Sequence, residues 1–337
     1  MTRLRRSDPA TPGIARRGRG RGFEYRDAHG EPVRDAETLA RIAALVLPPA
    51  WREVWICPWP NGHIQAVGTD AAGRRQYRYH DAWRARRDRE KHDRVLGLAD
   101  CLPEVRARLA DELDTRGLGR ERVLACAVRL LDLGFFRVGG EEYAASNGTF
   151  GLATIRREHV TVQRDSVVFE YLAKGNLDRV QSIVDPAVRA VVRALLRRRD
   201  PSPELLAWWS AADRCWCDVR SAHVNEHVQE ITGGQYTAKD FRTWHATVLM
   251  AVALAVSAHA GSATARSRAV TRGYREVAHY LGNTPAVARS AYVDPRVVDL
   301  YQEGVTVAGA LDALGTGDGP ATHGAIEAAV LDLLREG

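Results

Sequence analysis

Residues 281–295 read Leu-Gly-Asn-Thr-Pro-Ala-Val-Ala-Arg-Ser-Ala-Tyr-Val-Asp-Pro. Leu281-Gly282 ends one helix and Thr284-Pro285 starts the next, because glycine suits a helix end and proline a first turn. Tyr292 follows on that short helix, nine residues after Asn283. Upstream, Thr237-Ala-Lys239-Asp-Phe-Arg242-Thr-Trp-His245 opens a helix over 238–259. Further upstream, Gly134-Phe-Phe-Arg137-Val-Gly139-Gly140 sets an arginine between an apolar helix end and a Gly-Gly turn. Between these stretches, Lys174-Gly175-Asn176 is the turn of a hairpin whose first strand covers 167–172.

Working outward, apolar spacing predicts helices over 35–47, 100–115, 120–133, 186–199, 219–231, 266–281 and 323–335. Alternation predicts strands at 54–56, 63–68, 75–79 and 159–163, with a turn at 70–73. The expected class is α+β. A small β-rich N-terminal domain (23–90) precedes a larger, mostly helical domain (91–337) with an inserted β hairpin. Residues 1–22, rich in Arg, Gly and Pro, read as a basic disordered arm.

The chain has 337 residues, 45% hydrophobic and 27% charged, which suits two globular domains. No apolar run approaches the ~20 residues that span a bilayer, and the arginine-rich start has no apolar signal core, so no membrane association is expected. The formal net charge of +6 is matched by residues 1–22 alone, with seven arginines against one aspartate. A basic pI is therefore a poor argument for nucleic acid, and local clusters must carry it. Residues 73–94 form such a cluster, with nine basic and four acidic side chains interleaved with Tyr77, Tyr79 and Trp83. Cations there can meet phosphates, and a strand bearing Gln76, Tyr77 and Arg78 could enter a major groove. An ion-paired surface helix with core aromatics fits the same residues.

Only Lys91, Lys174 and Lys239 are lysines among 48 basic residues. A lysine that survives a drift to arginine points to chemistry arginine lacks, since lysine can release a proton. The five cysteines are scattered, which argues against a disulfide framework and for a reducing cytoplasm. Cys215 and Cys217 are too close for a usual zinc pair, and no metal site is expected.

Taken singly, Arg137 is a helix-end ion pair, Lys174 a solvated turn, Arg242 a structural arginine and Tyr292 half-buried packing. In order and spacing the pieces say more. They include Pro-Pro-Ala-Trp-Arg-Glu-Val-Trp-Ile-Cys-Pro (48–58), Asn-Gly-His-Ile-Gln-Ala (61–66) and Gly-Arg-Arg-Gln-Tyr-Arg-Tyr-His (73–80). They continue through Arg137-Val-Gly, Glu142-Tyr, Asn147-Gly-Thr-Phe-Gly-Leu, Lys239-Asp-Phe-Arg242-Thr and Leu281-Gly-Asn-Thr-Pro…Tyr292. Over about residues 35 to 305 the sequence resembles the type IB DNA topoisomerases, in the small poxvirus-like form found in bacteria. That form shares its catalytic fold with the tyrosine recombinases.

The resemblance implies a chemistry. Tyr292 matches the nucleophile that forms a 3′-phosphotyrosyl link to DNA and releases a 5′-hydroxyl. Arg137 and Arg242 match the arginines on the non-bridging oxygens, and Lys174 the general acid on the leaving oxygen. Asn283 stands where the poxvirus form has histidine, and it can donate a hydrogen bond but carries no charge. Arg74, Arg75, Gln76, Tyr77, Arg78, Tyr79 and Lys239 are the expected DNA contacts. His245, His279 and Glu142 are expected to be structural or to support the catalytic residues from behind. Positive and negative supercoils would be relaxed without ATP or metal, and no cofactor is expected. The partner is duplex DNA, held by a two-domain monomer with no obligatory protein partner, in the cytoplasm at the nucleoid. Two alternatives stay open. One is a tyrosine recombinase, disfavoured because those typically carry His-x-x-Arg where this chain has Lys239-Asp-Phe-Arg242. The other is a non-catalytic DNA-binding protein of the same fold.

Overall fold

The computed structural model describes residues 3–314, 320 and 322–336, with the side chains of Glu142 and Tyr143 outside the description. The chain divides into two compact units, Met1–Lys91 and His92–Gly337.

Unit 1 is built on a five-stranded antiparallel sheet in the order β2-β1-β3-β4-β5. Its elements are β1 (Ile14–Arg19), β2 (Gly22–Arg26), α1 (Ala36–Ala44), β3 (Arg52–Ile56), β4 (Ile64–Thr69) and β5 (Arg75–Tyr79). α1 starts where Asp35 accepts from Thr38 N at 2.8 Å, an N-cap. Its Ile42 packs with Ile14, Val54, Ile56 and Ala66 to form the small core of this unit.

The arm expected to be disordered is ordered over β1. Ile14 is buried and its backbone pairs with Ile56. Earlier still, the Ser7 hydroxyl donates to Ile64 O at 3.0 Å. The arginine-rich composition hides a hairpin turned at Gly20, whose φ of 57° favours glycine. The arginines have partners that composition does not reveal. Arg16 lies over the Phe23 ring at 4.2 Å and donates to Trp51 O at 2.7 Å.

α2 (Asp81–Asp114) contains the boundary between the units. Unit 2 continues with α3 (Arg120–Leu133), α4 (Glu141–Asn147), β6 (Val160–Val162), β7 (Val167–Ala173), β8 (Leu177–Ile183) and α5 (Pro186–Leu195). Next come β9 (Ala207–Ser210), β10 (Cys215–Asp218), α6 (Ser221–Thr232), α7 (Ala238–Ala255) and α8 (Ala263–Leu281). The described chain ends with α9 (Pro285–Ala291), α10 (Pro295–Gln302) and α11 (Ala325–Glu336).

Unit 2 is helical around one core, and it holds more strand than a single inserted hairpin. β6-β7-β8 form a three-stranded sheet, and β9 and β10 form a separate hairpin. Phe136, Phe169 and Phe241 are fully buried in this core, each worth roughly 1.5–3 kcal/mol relative to exposure. α7 is buried along nearly its whole length, because α3, α6, α8, α10 and α11 all pack on it. That burial decides what Arg242 can be, since a charged side chain on such a helix needs fixed partners. Among the described residues, no helix is long and apolar enough to cross a membrane.

Candidate active site

The site gathers at the C-terminal end of α8. A helix end leaves carbonyls without intrahelical partners and carries partial negative charge. Here three arginines, one from a strand, one from a helix and one from the segment after α3, fill that end. Arg179, on β8, donates to His279 O at 3.0 Å and to Tyr280 O at 2.7 Å. Arg242, on α7, donates to Leu281 O at 2.8 Å, and Arg137 to Gly282 O at 2.9 Å. Gly282 takes φ 60° and ψ 48°, which lets the chain turn from α8 into α9. Thr284 caps α9 by accepting from Val287 N at 3.3 Å, and Tyr292 stands at the end of that helix.

Each catalytic candidate is held by its neighbourhood. Arg137 lies on a non-helical segment whose carbonyls are taken by the next turn, with Leu152 N to Arg137 O and Ala153 N to Val138 O both at 2.8 Å. This contact requires Gly139 and Gly151 to pass backbone to backbone. A Cβ on Gly151 would lie 2.5 Å from Gly139 Cα. Arg242 is only 3% exposed, and it donates to Phe135 O as well as Leu281 O. Burial pushes its guanidinium down to about 10, still charged at neutral pH.

Tyr292 is half-buried, with the Arg242 guanidinium carbon 5.4 Å from its ring centroid. Burial alone would raise the phenol. The positive charges of Arg242, Arg137 and Lys239 outweigh it and hold the phenol below its ordinary value. Lys174 is exposed on the β7–β8 turn, where Gly175 and Asn176 adopt φ of 87° and 56°. Its carbonyl accepts from Arg137 Nη1 at 3.5 Å.

Arg137, Lys174, Lys239, Arg242 and Tyr292 all line one open cleft of about 380 Å³, together with Gly140, Thr149 and Phe150. The cleft thus joins four cations to one phenol. Such a lining fits an anionic ligand.

Asn283 is not among the lining residues of the cleft. Its Oδ1 accepts from Arg137 Nη2, and a guanidinium can only donate, which sets the amide orientation. Lys239, expected as a DNA contact, belongs to this cleft. The other expected DNA contacts lie in unit 1, in the turn before β5 and along that strand. Arg74 and Gln76 are engaged by Asp70, at 3.0 and 2.9 Å, and Arg78 by Asp81 at 3.0 Å. Strand alternation turns Arg75, Tyr77 and Tyr79 to the opposite face from Gln76 and Arg78, and the two tyrosine rings stack at 6.0 Å. Glu142 lies outside the described side chains.

Sequence reasoning missed Arg179, and it missed a buried charge network behind the cleft. Asp132, on α3, faces His245 at 3.7 Å and His323 at 3.9 Å. These three offer ligand-type atoms within 4.8 Å of one another. Both Asp132 oxygens already accept from Arg106, at 2.9 and 3.0 Å, and Arg129 adds a third bond at 3.2 Å. A cation there would face two guanidiniums, so the cluster reads as an ion-pair network. Burial pushes His323 down to about 4, which keeps it neutral at physiological pH. His245 belongs to this network, whereas His279 is exposed on α8.

Two family descriptions match the chain. A sequence model for the eukaryotic DNA topoisomerase I catalytic core matches residues 80–306, and one for the bacterial DNA topoisomerase IB N-terminal domain matches residues 22–70. A DNA topoisomerase 1B from Acanthamoeba polyphaga mimivirus is 26% identical over 294 residues, covering 86% of this chain and 88% of its own. The DNA topoisomerase 1B of vaccinia virus (strain Copenhagen) is 20% identical over 239 residues, covering 70% and 72%. The DNA topoisomerase 1 alpha of Arabidopsis thaliana is 22% identical over 205 residues, which are 60% of this chain and 21% of the plant protein.

Proposed function

The chain belongs to the type IB DNA topoisomerase family, and on that premise we propose that it relaxes supercoiled DNA of both signs through a covalent Tyr292–DNA intermediate. The observation that carries the reading is the convergence of Arg137, Arg242, Lys174 and Lys239 on Tyr292 in one cleft.

In this reaction the phenol loses its proton to solvent, aided by the surrounding cations. Tyr292 Oη then attacks the phosphorus and the P–O5′ bond breaks. The leaving 5′-oxygen takes its proton from Lys174, and the 3′ end is left as a phosphotyrosine. Arg137 and Arg242 neutralise the charge gathering on the non-bridging oxygens, a task arginine performs through two fixed N–H groups. Their anchorage on the carbonyls of α8 fixes them before substrate arrives. One phosphodiester is exchanged for another, so resealing reverses the steps without ATP or a metal. The free 5′ end swivels between the two steps.

The protein acts as a monomer on duplex DNA in the cytoplasm, at the nucleoid. Arg75, Tyr77 and Tyr79 supply backbone and groove contacts from β5, with Gln76 and Arg78 on the other face of that strand and Arg74 in the turn before it. Lys239 meets a phosphate in the cleft.

The test is relaxation of positively and negatively supercoiled plasmid in EDTA without ATP. A 3′-linked protein–DNA adduct should be trapped by denaturant. Failure to relax either sign would shift the reading to a recombinase that needs its own site.

Asn283 takes a supporting role, as the acceptor that orients Arg137. Asn283→Ala is expected to slow single-turnover cleavage by about tenfold, less than the roughly 10²–10³-fold typical of losing a direct transition-state donor. A loss as large as that of Arg137→Ala would place Asn283 on the phosphate itself.

A further inference from the structure

The matched catalytic core ends at residue 306, and α11 lies beyond it. α11 nevertheless supplies one carboxylate to the interior of the catalytic unit. Glu327 is 8% exposed. Its Oε1 accepts from Trp244 Nε1 at 2.8 Å, and Trp244 lies two residues from Arg242 on α7. Both its oxygens accept from Arg106, at 2.6 and 3.1 Å. The same guanidinium grips Asp132, whose helix ends just before Phe135. Phe135 closes the circuit, since its ring packs on His245 and its carbonyl accepts from Arg242.

Glu327 therefore reaches Arg242 by two routes. One holds α7 directly through Trp244. The other passes through Arg106 and Asp132 to the carbonyl on which Arg242 rests. A buried carboxylate with three such side-chain bonds and a fourth from Gly324 N at 3.2 Å has one geometry, and a neutral replacement leaves Arg106 with a single anionic partner. We infer that Glu327 is a positioning residue for catalysis, setting Arg242 against Tyr292 from a helix outside the matched core. This rests on the proposed role of Arg242 and Tyr292 in DNA cleavage.

The consequence is readable in pH. The phenol of Tyr292 faces Arg242 and Lys239 from α7 and Arg137 from the segment after α3, which hold it low against burial, and Lys174 of the β7–β8 turn lines the same cleft. If Arg242 shifts, the phenol rises and cleavage needs a higher pH. A purely structural Glu327 would alter melting and the active fraction, leaving that limb where it is.

The experiment uses the full-length protein and a duplex whose cleaved strand releases a short 3′-terminal fragment bearing the new 5′-hydroxyl, so cleavage cannot reverse. Single-turnover adduct formation is followed across pH, below the melting temperature of every variant and normalised to the active fraction. Glu327→Gln is expected to cut the cleavage rate constant by about 10- to 100-fold, to move the rising pH limb upward, and to leave DNA affinity unchanged. Arg106→Lys keeps the charge without the fork, so it should shift the limb the same way, and it carries the test should Glu327→Gln not fold. Arg335→Ala removes the exposed α11 ion pair to Asp100 and should match wild type. A Glu327→Gln or Arg106→Lys rate and pH limb equal to wild type would overturn the inference. Absence of cleavage by the wild type would instead overturn the proposed reaction.

Discussion

Tyr292→Phe is expected to abolish covalent adduct formation and plasmid relaxation while the protein still binds duplex DNA. The substitution removes one oxygen from a half-buried ring. It leaves Arg137, Lys174, Lys239 and Arg242 lining the cleft, so the phosphate-binding charge is unchanged. It takes away the only atom proposed to bond to phosphorus. Loss of a covalent nucleophile typically lowers turnover by about 10⁵-fold or more, because its partners cannot act without it. Gel-shift affinity should match wild type at a fixed salt concentration, since phosphate contacts dominate and depend steeply on salt. Adduct trapping by denaturant should show no band. Relaxation by Tyr292→Phe at the wild-type rate would mean another side chain carries the nucleophile. If wild type and variant bind alike and neither forms adduct, the protein is a DNA-binding member of the fold without the reaction.

Much of this arrangement was legible in residues 134–143, 174–176, 237–245 and 281–295. Their signals are local: Gly282 ends α8, Pro285 opens α9, and Gly175-Asn176 turns the hairpin that carries Lys174. What escaped depends on partners distant in sequence or masked by composition. The hairpin of β1 and β2 hid in an arginine-rich stretch because its arginines settle over Phe23 and onto backbone carbonyls. β9 and β10 are four residues each, too short for alternation to declare itself. Arg179 meets the end of α8 from 100 and 101 residues away, and Glu327 meets Arg106 from 221 residues away. No periodicity encodes such contacts. Asn283 was legible as a departure from the poxvirus pattern. Its place behind Arg137 follows only from the way α8 ends.

Arg242→Ala should give the second-largest loss and should change the protein in two separable ways. The first is stability. Arg242 donates to Phe135 O and Leu281 O inside the core, and alanine leaves both carbonyls without that donor. An unsatisfied buried polar group costs about 1–3 kcal/mol, so thermal unfolding should shift to lower temperature. The second is the rate. A guanidinium that stabilises charge in phosphoryl transfer is worth about 10³–10⁵-fold, and cleavage at a fixed pH should fall by that much. Part of the loss is electrostatic support for the nucleophile. Burial pushes the Tyr292 phenol up and Arg242 is the largest charge pulling it down, so without Arg242 the phenol rises. The fraction ready to attack at neutral pH then shrinks, and the rising limb of the cleavage profile moves to higher pH. Raising the pH should recover some of the rate, never all of it, because the contact to the phosphoryl oxygens stays absent. Arg242→Lys separates charge from shape. Lysine restores a cation near the phenol but cannot give two parallel N–H bonds to the carbonyls that seat it. It should correct the pH limb more than the maximum rate. A lysine variant with the full wild-type rate would mean that charge alone matters and that the seating on α8 is incidental to the chemistry.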